Sequence, residues 1–107
     1  MPWLLLGLAG ALEVVWAIAL KASGGLDLRT PATYLFLGAA ALSFWLLAAA
    51  LRDLPVGTAY AVWTGIGAVG AAIAGLVLYG DPATAPRFMA IGLIVAGVVW
   101  LAAVSHA

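Results

Sequence analysis

One carboxylate in this chain sits where a carboxylate is costly. Glu13 is the only acid or base between Trp3 and Leu20, and the run around it is apolar. At the middle of a membrane-spanning helix an acid costs about 3 kcal/mol to insert, and such residues face a protein interior or a water-filled cavity. One chemistry for it is a structural ion pair with a buried base. No other apolar run holds a Lys or Arg to serve as that base. Lys21 lies eight residues on, about 12 Å along the helix, and is expected to snorkel to the interface. The other chemistry is ion exchange. A lone carboxylate at that depth takes and releases a proton near neutrality and attracts cations, so protons and cations compete for it.

Further polar and aromatic groups recur at helical spacing. Trp16 follows Glu13 at i+3 and Gly10 precedes it by one turn, on the same face. Tyr60, Trp63, Gly67 and Gly70 follow i, i+3, i+7 and i+10 in a second run. A phenol can donate to a carboxylate, and an indole face attracts an organic cation by about 0.5–2 kcal/mol. Trp63 is read as a site residue; its other reading is a tryptophan of the interfacial belt. Trp3, Trp45 and Trp100 suit a belt or a lipid-facing place better. Ser43 is the one hydroxyl in the middle of its run, and it either holds a carboxylate rotamer or bonds back to its own helix. Gly65, Gly67 and Gly70 fall within six residues. They allow either close helix packing or a conformational hinge, because glycine both permits approach and weakens a helix. In the last run Gly92 and Gly97, with Ala96, offer a smooth surface suited to dimer packing.

These residues need elements to hold them, and composition says which. Of 107 residues, 67% are hydrophobic and 7% are charged, against about 25% charged in an ordinary soluble domain. Four Lys and Arg balance four Asp and Glu, so no basic footprint for nucleic acid exists. There is no cysteine and one histidine, His106. No metal site, cofactor or enzymatic nucleophile–base pair is expected from this inventory.

Pro31 to Leu51, Leu54 to Gly80 and Phe88 to Ser105 join the Glu13 run as stretches nearly free of acids and bases. A spanning helix takes about 20 apolar residues, and backbone groups in lipid must pair within their own segment. The expectation is an all-α integral membrane protein with four transmembrane helices, at about 3–22, 31–51, 56–79 and 86–105. They make a single transmembrane domain over 1–107. Four such helices use about 80 residues and leave no room for a soluble domain. Turn residues and charges mark the loops: Ser23 to Arg29, Arg52 to Pro55, and Gly80 to Arg87. A cleaved signal peptide is not expected, since the N-terminus lacks a basic region and an acid interrupts its apolar stretch.

With these motifs in place the whole chain resembles the small multidrug resistance transporters in length, span number and motif order. A central acid in the first helix, here Glu13, is that family's hallmark. Gly57-Thr-Ala-Tyr-Ala-Val-Trp-Thr-Gly-Ile-Gly-Ala-Val-Gly70 resembles its third-helix signature. Glu13-Val-Val-Trp-Ala-Ile-Ala-Leu-Lys21, with Trp16, resembles the guanidinium-exporter branch. Ser43-Phe-Trp-Leu-Leu47 instead resembles the multidrug branch, whose second helix lines a portal for bulky substituents.

The resemblance implies an antiparallel homodimer in the plasma (inner) membrane of a prokaryote. It implies export of guanidinium-type or quaternary ammonium cations against protons. Paired Glu13 carboxylates would bind protons or one cation, oriented by Trp16 and Ser43. Tyr60 would bond Glu13, and Trp63 would pack against the cation or orient Tyr60. Arg52 and the N-terminus would lie on one face, and Arg29, Arg87 and a snorkelling Lys21 on the other, so the positive-inside bias is weak and insertion both ways is compatible. Other classes stay open. A non-transporting membrane subunit would suit the small-residue faces but leaves the spacing of Glu13, Trp16, Tyr60 and Trp63 unexplained. An ion channel would need a ring of like charges, which is absent.

Overall fold

The computed structural model describes residues 1–105, so His106 lies outside the described residues. Four helices fall on the four charge-poor runs: α1 (Pro2–Ala22), α2 (Pro31–Ala50), α3 (Val56–Leu78) and α4 (Ala85–Val104). Each is long and apolar enough to cross a membrane. The all-α, four-helix expectation therefore holds. Proline starts the helices where its missing N–H costs nothing. Pro2, Pro31 and Pro86 sit in the first turns of α1, α2 and α4, and Pro55 caps α3.

The first loop is held by its own side chains. Gly24, Gly25 and Leu26 all take positive φ, at 64°, 83° and 64°. Ser23 Oγ donates to Leu20 O at 2.6 Å and accepts from the Leu26 N–H at 2.9 Å, fixing that left-handed run. Thr33 donates to Asp27 O at 2.6 Å. The Arg29 guanidinium, bonded to Asp27 at 3.2 Å, holds the Asp27 carboxyl below the usual carboxylate range.

The helices form a slab, not a closed bundle, with extents of 47 × 35 × 16 Å. α1 packs broadly on α2 and α3, α3 packs on α4, and α2 meets α3 only slightly. The buried core gathers at the end of the slab that carries both helix α1's start and the short α2–α3 loop. It joins Leu6 and Ala9 of α1, Leu47 and Ala50 of α2, and Ala59, Val62 and Trp63 of α3. Lipid gives helices no hydrophobic drive to associate, so close packing and interhelical hydrogen bonds must do it. α4 has no buried residue and touches α3 alone. A Cβ at Gly92 or Gly97 would meet open space. The smooth surface expected there is exposed, and nothing within one chain covers it.

Candidate functional site

α1 carries Glu13 to a seam with α3. The carboxylate lies against Gly67, where any Cβ would overlap it. One turn earlier Ile66 of α3 fills the space beside Gly10, and just beyond, Val14 fills the space beside Gly70. The three contacts interlock small positions on each helix with large ones on the other. Gly65 similarly receives Val98 of α4. α3 is uninterrupted from Val56 to Leu78. In this conformation Gly65, Gly67 and Gly70 serve close approach.

Glu13 is half-buried, and its Oε1 is shielded from solvent with no hydrogen-bond partner. The ion pairs among the described residues, Arg29 with Asp27 and Arg87 with Asp81, both lie outside the helix centres. The structure therefore supplies Glu13 with no base.

Ser43 differs from both of its sequence readings. It is fully buried and joins three helices. Its hydroxyl donates to Ala9 O of α1 at 2.7 Å and accepts from the Trp63 Nε1–H of α3 at 3.1 Å. It neither bonds back to its own helix nor has a proton free for the carboxylate. Its link to Glu13 is indirect, since Ala9 O is the carbonyl that the Glu13 backbone N–H faces in the helix ladder. Trp63 is 4% exposed, which rules out the interfacial belt.

Trp16 sits beside the acid but turns to α2. Its ring meets Phe36 edge-on at 5.8 Å and stacks on Phe44 at 6.4 Å, and its buried indole N–H has no partner. The expected hydrogen bond from Trp16 to Glu13 is absent here. Tyr60 is 57% exposed and makes no hydrogen bond among the described residues, so it does not reach Glu13 within one chain. Its ring lies 5.5 Å from Trp63, which lies 5.2 Å from Phe44. Phe36, Trp16, Phe44, Trp63 and Tyr60 thus form one aromatic row. The sequence reading missed Phe36, and it held Phe44 only as part of the Ser43–Leu47 stretch, not as a neighbour of Trp16 and Trp63. The eight-residue separation of Phe36 and Phe44 fits one helical stripe, but only the crossing of α1 and α2 brings Trp16 between them.

The arrangement seats one carboxylate, with no base beside it, in the α1–α3 seam, and the aromatic row begins one helical turn further along α1 at Trp16. Comparison with known proteins agrees in scale and kind. Residues 1–94 match the family model described as Small Multidrug Resistance protein. The "Guanidinium exporter" of Yersinia pestis is 54% identical over 101 residues, covering 94% of this chain and 96% of that protein. That of Citrobacter freundii is 52% identical over 106 residues, covering 99% and 100%. That of Salmonella typhimurium strain LT2 is 50% identical over 106 residues, again covering 99% and 100%. A lone intramembrane acid, four spanning helices and this end-to-end similarity have one common explanation: the chain is a multi-pass membrane protein belonging to the small multidrug resistance family.

Proposed function

We propose that this protein is a proton-coupled antiporter that exports guanidinium and small substituted guanidinium cations, working as an antiparallel homodimer in the inner membrane of a prokaryote. The observation that carries the reading is Glu13, the one acid inside the spans, seated on Gly67 with no base to neutralise it. The similarity to proteins named guanidinium exporters supports the substrate. The thin slab and the uncovered α4 support a second copy, because one chain only 16 Å deep encloses no central cavity.

Two Glu13 carboxylates facing each other would bind protons or one cation, and not both at once. Guanidinium is planar and rich in N–H donors, so two carboxylates can accept from it in its plane. The aromatic row offers ring faces beside them. Tyr60, 57% exposed in one chain, would take its role in the dimer. Ser43 and Trp63 act as positioning residues through Ala9 O. Exchange between two conformations of the dimer moves the pocket from one face to the other, and inward proton flow drives the cation out.

A second reading has its own observation. Phe44 and Trp45 are 52% and 68% exposed on α2. If they line a portal, an alkyl tail could extend between helices and hydrophobic quaternary ammonium cations would pass. Side-by-side transport currents in proteoliposomes under a pH gradient decide. Guanidinium and phenylguanidinium are expected to give current, tetrapropylammonium a smaller one, and a bulky polyaromatic cation little. Robust polyaromatic current without guanidinium current would overturn the proposed substrate.

A further inference from the structure

Two side chains of opposite charge line one crevice near a membrane face. About 210 Å³ in volume, it lies between Ala17 and Lys21 of α1 and Ala71, Gly75, Tyr79 and Asp81 at the end of α3 and just beyond it. Glu13 is not in its lining, so the crevice is separate from the seat of the acid. Its depth follows from α1. Lys21 stands eight residues after Glu13, about 12 Å along the helix. The hydrocarbon core of a bilayer is about 30 Å thick. With Glu13 near the midplane, Lys21 comes close to the boundary where phospholipid headgroups begin.

The charges are held apart. Gly80, at a φ of 65°, turns the chain back at the end of α3. The Asp81 N–H then donates to Gly75 O at 3.1 Å, and its carboxylate fills the space a Cβ at Gly75 would need. The Lys21 ammonium lies 5.0 Å from the centre of the Tyr79 ring, and Tyr79 is 42% exposed, as suits an aromatic of the interfacial belt. No ion pair joins Lys21 to Asp81 among the described residues. Arg87 of α4 stays 3.9 Å from the Asp81 carboxylate, beyond hydrogen-bond reach. The carboxylate therefore keeps acceptor sites, and the ammonium keeps its donors. Ala17, Ala71 and Gly75 line the rest with small groups that leave room between them.

We propose that this crevice binds the headgroup of a phospholipid that carries a primary ammonium, a phosphatidylethanolamine of the surrounding bilayer. Lys21 donates to the phosphate oxygens, and Asp81 accepts from the headgroup ammonium. Charge complementarity selects this occupant. Lys21 and Asp81 share one crevice without pairing, and a ligand with a phosphate and an ammonium on a short link answers both at once. A choline headgroup has the same charges, but its quaternary nitrogen has no N–H to donate. A glycerol headgroup donates only through neutral hydroxyls, and charge-assisted hydrogen bonds are about twice as strong as neutral ones.

The test keeps the full chain in detergent and titrates it with short-chain ethanolamine, choline and glycerol phospholipids, counting bound lipid by native mass spectrometry. The ethanolamine lipid is expected to bind about tenfold more tightly than the choline lipid, the scale of one hydrogen bond to a charged group. Asp81→Asn should bring its affinity down close to the choline value, and Lys21→Gln should weaken binding of all three. No preference in the unsubstituted protein, equal binding of the glycerol lipid, or a preference kept in Asp81→Asn would each overturn the site. Arg52→Gln, outside the crevice, should change nothing. An equal loss there would mean a general attraction of lipid to basic residues and would also overturn it. Ala71→Leu fills the crevice and separates the remaining occupants. Loss of the ethanolamine preference with unchanged size-exclusion elution supports the lipid. A preference kept overturns it, and so does dissociation of the assembly, which would give the crevice to a second copy of the chain.

Discussion

Glu13→Gln keeps the side-chain shape and removes the proton site, so insertion and assembly should survive while proton-driven guanidinium flux is lost. Flux in proteoliposomes and size-exclusion elution measure the two parts, and full flux in the variant would sink the mechanism. Ser43→Ala tests a different residue-scale claim. It strips the acceptor from the Trp63 N–H and the donor from Ala9 O. Interhelical hydrogen bonds in membranes contribute about 0.5–2 kcal/mol, so a matching loss should appear in thermal or SDS unfolding. An unchanged midpoint would mean that the junction is dispensable. The acid was legible in the sequence because no other charge shares its depth. The partners of Ser43 were not, because Ala9 O and Trp63 reach it only through the mutual crossing of α1, α2 and α3. Sequence periodicity reports which face a residue occupies and is silent on what meets that face.

At the scale of the helix, the decisive pairing is small against large along the α1–α3 seam. Gly67→Ala puts a methyl group where the Glu13 carboxylate lies. Alanine favours the helix over glycine by about 1 kcal/mol, so folding should not suffer, but the acid must move. A displacement of about 1 Å at a site can cost on the order of 100-fold in rate, and guanidinium uptake should fall by roughly 10- to 100-fold. Gly38→Ala is the control, since a Cβ at Gly38 touches nothing. Similar uptake in both variants would refute the seat. The helices themselves were readable from the charge-free runs and their bounding prolines and glycines. Whether the α3 glycines bend the helix or seat its neighbours was open, because glycine permits both; Val14 beside Gly70 and Val98 beside Gly65 give the packing role in this conformation.

The whole molecule is a slab 16 Å thin, and the proposed homodimer would set a second copy against it. Its basic residues divide between the two faces with a difference of one or two, so orientation is poorly specified. A tag accessible from one side should label about half the molecules if insertion runs both ways, as so weak a bias allows. Adding two Lys or Arg near one end should fix the orientation. Such a population should transport poorly alone and recover when mixed with an oppositely fixed copy. Uniform orientation of the unmodified protein would rule out the antiparallel pair. A chain this short and apolar announced its membrane class by composition alone. That α4 would stand off, touching α3 only, was beyond reach, because lipid-facing and partner-facing apolar surfaces share one composition.

The aromatic row has an optical consequence. Its neighbouring rings lie 5.2 to 6.4 Å apart from Phe36 to Tyr60, and two of them are indoles. At such spacing excitation energy passes readily from ring to ring, so light absorbed by Tyr60 can emerge from Trp63 or Trp16. Trp45 and Trp100, 68% and 73% exposed, emit from the periphery as a steady background. The intrinsic fluorescence of the unlabelled chain therefore carries a component that originates beside Glu13, and a change of ionic occupancy there should be visible as a change of colour or brightness.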